Sequence, residues 1–405
     1  MKCYLRYIIY FMPIVTIVSC KKPYAPPAIA SSGSYLVVEG VINSGSDSTI
    51  IKLSKTVKIS NATAINPVIG AAVAVQSDQN VVFPLTENSQ GSYVSAGLNL
   101  NSSHTYRLSV KTSNEQYYSD YVPVLNSPPI DSISFKIIDT GLTVYSATHD
   151  PSNTIKYYRW DYQETWIIHP PLSTGFISNG DTVLTRTQSQ QVYTCWRTDT
   201  SSTIVLGSSA KLANDVIVDN PVIFLASSSA KIANEYSILV RQYALTADAY
   251  TFWTNLKKNT EQLGSIFDAQ PSQINGNIHS ASNPSEPVIG YISVGSTASQ
   301  RIFITEQQLP SFSPPFPNEN YPAGCNPVNN CCLYSFVPQG SHNGPINQVN
   351  EFINYNKGAN NPLIPLLPIQ TPGGPVLGYT AAAPICADCT LQKGATNKQP
   401  AYWKF

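Results

Sequence analysis

The sequence is poor in charged residues and nearly free of methionine. Charged side chains make up 12% of its 405 residues, about half of the usual share, and the only methionines are Met1 and Met12. Basic and acidic residues are equal in number, at 24 each. A broad basic surface is therefore excluded, and with it nucleic acid as a partner. After the N-terminal segment no run of 18 apolar residues follows, so we expect no later membrane-spanning helix.

Sequence motifs of catalysis and of metal or cofactor binding are also missing. The chain has no Gly-x-Ser-x-Gly, no phosphate-binding loop, no dinucleotide fingerprint and no EF-hand loop. The histidines are scattered without a metal-binding spacing, at positions His104, His149, His169, His279 and His342. We therefore expect a protein that is not an enzyme and that carries no metal and no cofactor.

The N-terminus has the pattern of an export signal. Lys2 and Arg6 precede an apolar run over residues 7–18, which is too short for a comfortable membrane span. The run ends in Ile-Val-Ser-Cys, which resembles the lipobox of bacterial lipoproteins. The resemblance implies that residues 1–19 are a signal peptide and that Cys20 becomes the lipidated first residue of the mature chain.

The alternative is an ordinary signal peptide that happens to end in cysteine. Pro23, Pro26 and Pro27 follow at once, as in a stiff tether, and favour the lipoprotein interpretation. Several acyl chains, each worth about 0.8 kcal/mol per buried methylene group, would anchor the chain stably. We therefore predict a lipidated tether over residues 20–34 that attaches the mature chain to a membrane.

The composition after the tether is typical of β-structure. The chain has 24 tyrosines, many valines, isoleucines and threonines, and polar residues that are mostly uncharged. About seven short strands alternate with turn signals between residues 35 and 126, which is the pattern of an immunoglobulin-like β-sandwich. This stretch has no cysteine pair and no tryptophan, so an antibody-type domain is not expected. A linker near residue 128 then leads into a second β-domain, predicted over residues 130–405.

The second domain contains one strand of very clear period two. Its two faces carry different side chains, with Tyr158, Trp160, Tyr162, Glu164 and Trp166 on one and Arg159, Asp161, Gln163 and Thr165 on the other. Period two of this quality predicts a strand with one buried face. The favoured interpretation of the aromatic row is a sandwich core. The alternative is an exposed row that stacks on a ligand, with Trp160, Trp166 and Trp196 as candidates.

One helix is predicted within the second domain, over residues 247–263. Thr246 can cap its first turn, Asp248 complements the helix dipole, and Gly264 can end it. Its apolar residues share one stripe, which we expect to pack on the second sheet.

The C-terminal segment, residues 310–405, changes in character. Fourteen of the 31 prolines fall between residues 310 and 384, among many asparagines and glycines, as in a long loop. Six cysteines other than Cys20 belong to the mature chain, namely Cys195, Cys325, Cys331, Cys332, Cys386 and Cys389. In an exported chain three disulfides are the simplest use of them, with a zinc site and free thiols as alternatives.

The pairing that we predict joins the cysteines near the C-terminus with one another. These are Cys331, Cys332, Cys386 and Cys389, and Cys195 would then pair with Cys325. Such bridges would tie the proline-rich segment to the C-terminus, and closing a loop of this length contributes about 4 kcal/mol.

Several segments together resemble one known family. They are the tether after Cys20, the strand at 35–42, the segments 157–166 and 236–243, the helix phrase 252–268 and the end 389–403. They are similar to the lipoproteins of Bacteroidota called domain of unknown function 4249. The resemblance implies an outer-membrane lipoprotein, often encoded beside TonB-dependent receptors, and it brings no established activity. Lys21 and Lys22 stand where surface-exported lipoproteins carry acidic residues, so neither the periplasmic nor the cell-surface side is assigned.

Two functions from different classes follow from these observations. The favoured one is a non-enzymatic accessory protein on a lipid tether that binds a partner, namely an outer-membrane transporter of the TonB-dependent class. Low charge and tyrosine-rich strands suit such a recognition surface. The alternative is direct binding of a glycan or another nutrient by exposed aromatic rings. It needs at least two exposed, coplanar rings among the tryptophans Trp160, Trp166, Trp196, Trp253 and Trp403.

Overall fold

The structure, a computed structural model, describes most of the chain after the tether. The described residues are 34–57, 66–261, 276–309, 333–336, 340–341, 344–345, 348–357, 359, 362–370 and 372–404. No helix in these ranges is long and apolar enough to cross a membrane. The predicted signal peptide, Cys20 and the tether up to residue 33 lie outside them.

The N-terminal domain is a β-sandwich, and the fold as a whole is mainly β, as the sequence predicts. Its first nine strands are β1 (Leu36–Asn43), β2 (Thr49–Lys55), β3 (Asn66–Pro67), β4 (Ala72–Ser77), β5 (Val82–Ser89), β6 (Ser92–Ser95), β7 (Thr105–Lys111), β8 (Gln116–Ser119) and β9 (Val122–Pro123). Strand β5 pairs with both β4 and β6, so the two layers join into one curled sheet. Every second residue points inward, and Val38, Val75 and Leu108 are among those buried between the layers.

The second domain begins at residue 130 with long antiparallel strands. They are β10 (Ile130–Ile138), β11 (Gly141–His149), β12 (Tyr157–Ile168), β13 (Phe176–Ser178), β14 (Val183–Thr185), β15 (Cys195–Thr200), β16 (Val205–Ser208), β17 (Val216–Ala226) and β18 (Tyr236–Leu245). One sheet has the order β10-β11-β17, and β12 is central in the other, with β18 on one side and β15 and β16 on the other side. The two sheets pack on one hydrophobic core.

Strand β12 buries its aromatic face, as its period of two predicts. Tyr158, Trp160 and Trp166 are buried in the core between the two sheets. Trp160 donates its Nε1 hydrogen to Oε1 of Gln242 at 2.9 Å. The amide nitrogen of Gln242 in turn donates to the carbonyl oxygen of Pro128 at 3.0 Å. The buried amide therefore fixes the linker between the domains to the core of the second domain.

The predicted helix is present as α1 (Ala247–Glu261). The backbone N–H of Ala249 donates to Oγ1 of Thr246 at 3.1 Å, which is the predicted N-cap. Ala249 and Phe252 are buried under the helix. Lys257 donates to the carbonyl oxygen of Ile204 at 2.6 Å and so ties the helix to the start of β16. The last predicted residues, 262–263, and Gly264 lie outside the described part of the chain.

After the helix the chain returns to the N-terminal domain. Strand β19 (Ile278–Ser280) pairs with β8, and β20 (Val294–Gly295) pairs in parallel with β1. Ile278 and Ile292 are buried in the N-terminal core. Strand β21 (Thr297–Ile304) then goes back to the second domain and pairs with β18. The predicted assignment of everything after residue 130 to the second domain therefore needs correction, because this return depends on pairing between distant strands.

The C-terminal segment contains regular structure where a long loop is expected. Its described elements are β22 (Leu333–Phe336), β23 (Gly340–Ser341), β24 (Gly344–Pro345), α2 (Val349–Lys357), β25 (Ile364–Gln370), β26 (Val376–Ala382) and β27 (Ala395–Thr396). Strands β22, β26 and β25 form a small sheet with β25 as its last strand in the described order. Pro365 and Pro368 both lie in β25, because an edge strand tolerates residues without a backbone N–H.

A disulfide joins Cys195 at the start of β15 to Cys389 near the C-terminus. The predicted pairing of Cys195 with Cys325 is therefore wrong, and so is the predicted pairing of Cys389 with a cysteine of its own segment. The reason lies in the sheet, because β15 pairs with β27 and this pairing brings Cys389 beside Cys195.

The remaining cysteines are only partly described. Cys386 is also disulfide-bonded. Cys325, Cys331 and Cys332 lie outside the described residues, so the part of the prediction that concerns them stays a prediction.

Candidate functional site

A cleft of about 800 Å³ lies between the two domains. The outward face of β1 and β2 forms one wall, and β12, β18, β21 and α1 form the other. The buried Gln242 contacts and the return through β20 hold the two walls together. The size falls in the range of small-molecule pockets, and a boundary between domains is a common place for them.

Arg159 is the central side chain of the cleft wall in the second domain. It lies on the polar face of β12, opposite to the aromatic face that is buried. Its guanidinium carbon is 4.5 Å from the ring centre of Tyr243 and 4.4 Å from that of Trp253. Two aromatic rings thus hold the cation, and its side chain is only 15% exposed.

The charges beside Arg159 are not evenly paired. Asp161 accepts a hydrogen bond from Nε of Arg241 at 2.6 Å, whereas its distance to Nη2 of Arg159 is 3.9 Å. Burial lowers the pKa of the Arg159 guanidinium, and Asp161 offsets this only in part. Burial also raises the pKa of the Tyr243 hydroxyl to about 12, with a further contribution from Asp161. Asp161 is therefore committed mainly to Arg241.

The Nε atom of Arg159 is buried and has no hydrogen-bond partner among the described residues. Such a group costs free energy, because it has lost its water without gaining an acceptor. The protein groups around Arg159 therefore leave part of its hydrogen-bonding capacity unused.

Apolar side chains line much of the remaining surface. Helix α1 contributes Phe252, Trp253 and Leu256, and the facing sheet contributes Val41 and Ile50. The side chain of Ile50 is 46% exposed, which is a large fraction for a residue in a central strand. The cleft therefore has an apolar part and a charged part, a combination that suits a ligand of mixed polarity.

Most of the tryptophans predicted as stacking candidates are not in this cleft. Trp160, Trp166 and Trp196 are only 1%, 4% and 8% exposed and belong to the protein interior. Their rings are covered by other side chains and are not available to a sugar or any other ligand. The tryptophan that lines the cleft is Trp253 on α1, which the sequence places on an apolar stripe expected to be buried.

The sequence did not predict this site, although it contains a signal of it. Arg159 and Asp161 are two charged residues, two positions apart, in a chain with few charges. Their partners come from β18, where the register places Tyr243 opposite Arg159 and Arg241 opposite Asp161. Only the pairing of β12 with β18 brings these side chains together.

The described residues include no group of three histidine, cysteine or acidic side chains that could hold a metal ion. The side chains lining the cleft include no histidine and no cysteine. What the cleft offers is hydrogen-bonding, ionic and apolar contact.

The fold and the cleft together define a mainly β protein of two domains with a pocket at their boundary. A family model described as Domain of unknown function (DUF4249) matches residues 21–301. The chain belongs to this family, as the resemblance in its sequence implied. The match ends inside β21, so it covers the N-terminal domain, the central strands of the second domain and both walls of the cleft.

Comparisons with individual proteins add little. No curated protein matches the chain. Among solved structures, the adhesin InvE of Yersinia pseudotuberculosis is similar at 17% identity and a TM-score of 0.15, over 52% of this chain and 55% of that one. The chain thus spans about half the length of that adhesin, and a TM-score of this size supports no inference about function.

Proposed function

We propose that this protein is a lipid-anchored, non-enzymatic binding protein of the outer membrane that serves as an accessory to a TonB-dependent receptor. The lipobox ending at Cys20 and the family membership support the anchor and the location. The observation that carries the binding role is the cleft, whose walls come from both domains and combine apolar and charged side chains. Its lining offers contacts that hold and orient a target.

The direct test is a pull-down of the native lipoprotein from outer membranes in mild detergent. We expect a TonB-dependent receptor to be recovered in near-stoichiometric amount. A matched preparation that carries Ile50→Glu in the cleft should recover less of it if the receptor reaches the cleft. Recovery of the lipoprotein alone from wild-type membranes would refute the accessory role.

The anchor has a separate test in the Cys20→Ala variant. Without the lipid-accepting thiol, the chain should remain an uncleaved or soluble precursor. The measurement is fractionation of cells into soluble and membrane parts, followed by the mass of the protein. A mature-sized Cys20→Ala protein in the membrane fraction would contradict the lipoprotein interpretation.

Direct binding of a small nutrient is the second candidate function. A cleft of about 800 Å³ favours it, because such a volume holds a small molecule. The glycan version of this alternative has lost support, because it needs two exposed rings. Four of the five candidate tryptophans are buried, namely Trp160, Trp166, Trp196 and Trp403, and Trp253 alone lines the cleft. Neighbouring genes give a cheap comparison: a receptor gene alone favours the accessory role, and genes for glycoside hydrolases favour a glycan.

A further inference from the structure

We propose that the cleft between the domains binds a carboxylate attached to an apolar body, and that Arg159 recognises the carboxylate. This inference rests on the proposed binding function and specifies the class of ligand. Neither the family nor the solved structure that is similar to the chain assigns such a site.

The charge balance around Arg159 is the first step. Arg159 and Arg241 share the single carboxylate of Asp161, which is 2.6 Å from Nε of Arg241 and 3.9 Å from Arg159. One positive charge therefore lacks a close partner in a place that is largely shielded from water. A buried cation without a partner is costly, and an anion placed beside it would recover much of that cost.

The geometry of the guanidinium is the second step. The rings of Tyr243 and Trp253 lie 4.5 and 4.4 Å from its central carbon. Contacts with rings leave the edge of the guanidinium, where its N–H groups lie, for hydrogen bonds. A carboxylate matches this edge because it can accept two parallel hydrogen bonds. The rings restrict the motion of the side chain before binding, which lowers the entropy lost on binding.

The total charge of the cleft limits the ligand to a modest negative charge. The basic residues Arg159, Arg241 and Lys52 line it together with the acidic residues Asp161, Glu39 and Asp47, so the lining is neutral overall. A neutral lining with one unpaired guanidinium suits one carboxylate. A nucleotide or another polyanion would meet the three carboxylates of the lining, which repel it.

The apolar body has its own part of the cleft. Val41 and Ile50 on the first wall and Trp253 and Leu256 on α1 line this part of the cleft. Burying apolar surface there contributes about 25 cal/mol per Å². An acid with a phenyl or branched alkyl group fits both parts of the cleft, whereas a sugar satisfies neither.

Calorimetric titration of the full-length lipoprotein in mild detergent tests the inference. The probes are N-acetylphenylalanine, N-acetylleucine and octanoate, each compared with its uncharged amide. We expect saturable binding of at least one acid, and binding of its amide that is weaker by about 10- to 100-fold, because a hydrogen bond to a charged group is lost. If none of the acids binds, or if acid and amide bind equally well, the inference is refuted.

Two pairs of variants locate the binding. Arg159→Gln should weaken binding of the acid by about tenfold or more and leave binding of the amide unchanged. Its control is Arg301→Gln, which removes an arginine that stacks on Tyr402 at 3.8 Å on the same sheet but does not line the cleft. Equal affinities of these two variants for the acid would refute the role of Arg159.

The second pair does not depend on a buried residue. Ile50→Glu places a negative charge at an exposed position of the same cleft as Arg159, and it should abolish binding of the acid by repulsion. Its control is Val82→Glu, at an exposed apolar position of the same domain that does not line the cleft. Unchanged binding in Ile50→Glu would refute the location of the site.

The source of the carboxylate and the accessory role are tested separately. A peptide Gly-Gly-Ser-Gly-Phe with a free C-terminus carries the same group as N-acetylphenylalanine. If both the peptide and N-acetylphenylalanine bind, the ligand is the C-terminus of a peptide chain. If only N-acetylphenylalanine binds, the ligand is a small molecule. The recognised group is the same carboxylate in both cases. If the acid binds and no receptor is recovered, this inference stands and only the accessory role is refuted. If a receptor is recovered and no acid binds, the accessory role stands and this inference is refuted.

Discussion

The buried carboxylate of Glu164 gives the sharpest test of how the second domain is stabilised. It is 2% exposed and lies on the aromatic face of β12, between Tyr162 and Trp166. Nζ of Lys231 donates to one of its oxygens at 2.7 Å, and the hydroxyl of Tyr236 donates to the other at 2.7 Å. The Lys231 side chain is 27% exposed, and its ammonium lies 5.0 Å from the ring centre of Trp166. Glu164 is therefore the more deeply buried partner of the pair, and Lys231 is partly in contact with water.

Replacing Lys231 by methionine should destabilise the protein strongly. The carboxylate would remain buried with one donor, and removing one partner of a buried pair costs about 3–5 kcal/mol. We expect about 3 kcal/mol, the lower end, because the lysine itself is partly in water. The double variant Lys231→Met with Glu164→Met should cost only about 1 kcal/mol, because both charges are then absent. The single variant Glu164→Met completes the cycle; if it is itself neutral or destabilising, the coupling energy is about 2 kcal/mol or more.

Urea unfolding of the purified variants, followed by tryptophan fluorescence, measures these free energies at unchanged slope. The control is Lys136→Met, which breaks a pair with Asp219 of 2.6 Å whose side chains are 58% and 46% exposed. Such an exposed pair should contribute less than about 1 kcal/mol. If Lys231→Met lowers the free energy of unfolding no more than Lys136→Met does, burial of Glu164 does not strengthen its ion pair, and the reasoning is refuted.

Three further predictions concern the disulfide, the return segment and one histidine. Replacing Cys195 and Cys389 together by alanine should lower the free energy of unfolding by about 2–5 kcal/mol, which calorimetry of the oxidised proteins would measure; an unchanged melting temperature would contradict it. Gly290→Ala should weaken the packing of residues 276–295 on the N-terminal domain, because a Cβ atom would lie 2.2 Å from the carbonyl oxygen of Val38 at a φ of +144°. Amide hydrogen exchange at Val38 and Ile289 should therefore become faster. It should stay unchanged in the control Gly45→Ala, where the nearest atom to an added Cβ is at 3.4 Å. The hydrogen bond of 2.8 Å to Asp131, with its charge, raises the pKa of His149. Any stability from this pair is present below the unfolded-state pKa of about 6.5 and is lost as pH rises through the folded-state pKa. NMR titration should show a pKa above the ordinary value in wild type and a lower one in Asp131→Asn; equal values would count against the contact.

Features that depend on near neighbours in the chain could be predicted from the amino-acid sequence. The period of two in β12 identified its buried face, because successive side chains of a strand point to opposite sides. The cap at Thr246 identified the start of α1, because a cap is formed within one turn of the helix. The same is true of the short strands of the N-terminal domain and of the segments that indicated the family.

Tertiary structure decided every feature that joins distant parts of the chain. The bridge from Cys195 to Cys389 spans 194 residues, and the ion pair of Asp161 with Arg241 spans 80. The cleft needs the return through β20 as well, since β20 pairs with β1. Strand pairing is set by which faces are buried together, and many registers satisfy the same local pattern. Periodicity therefore shows which face of β12 is buried, whereas only the folded chain shows which residues meet Arg159 on the other face.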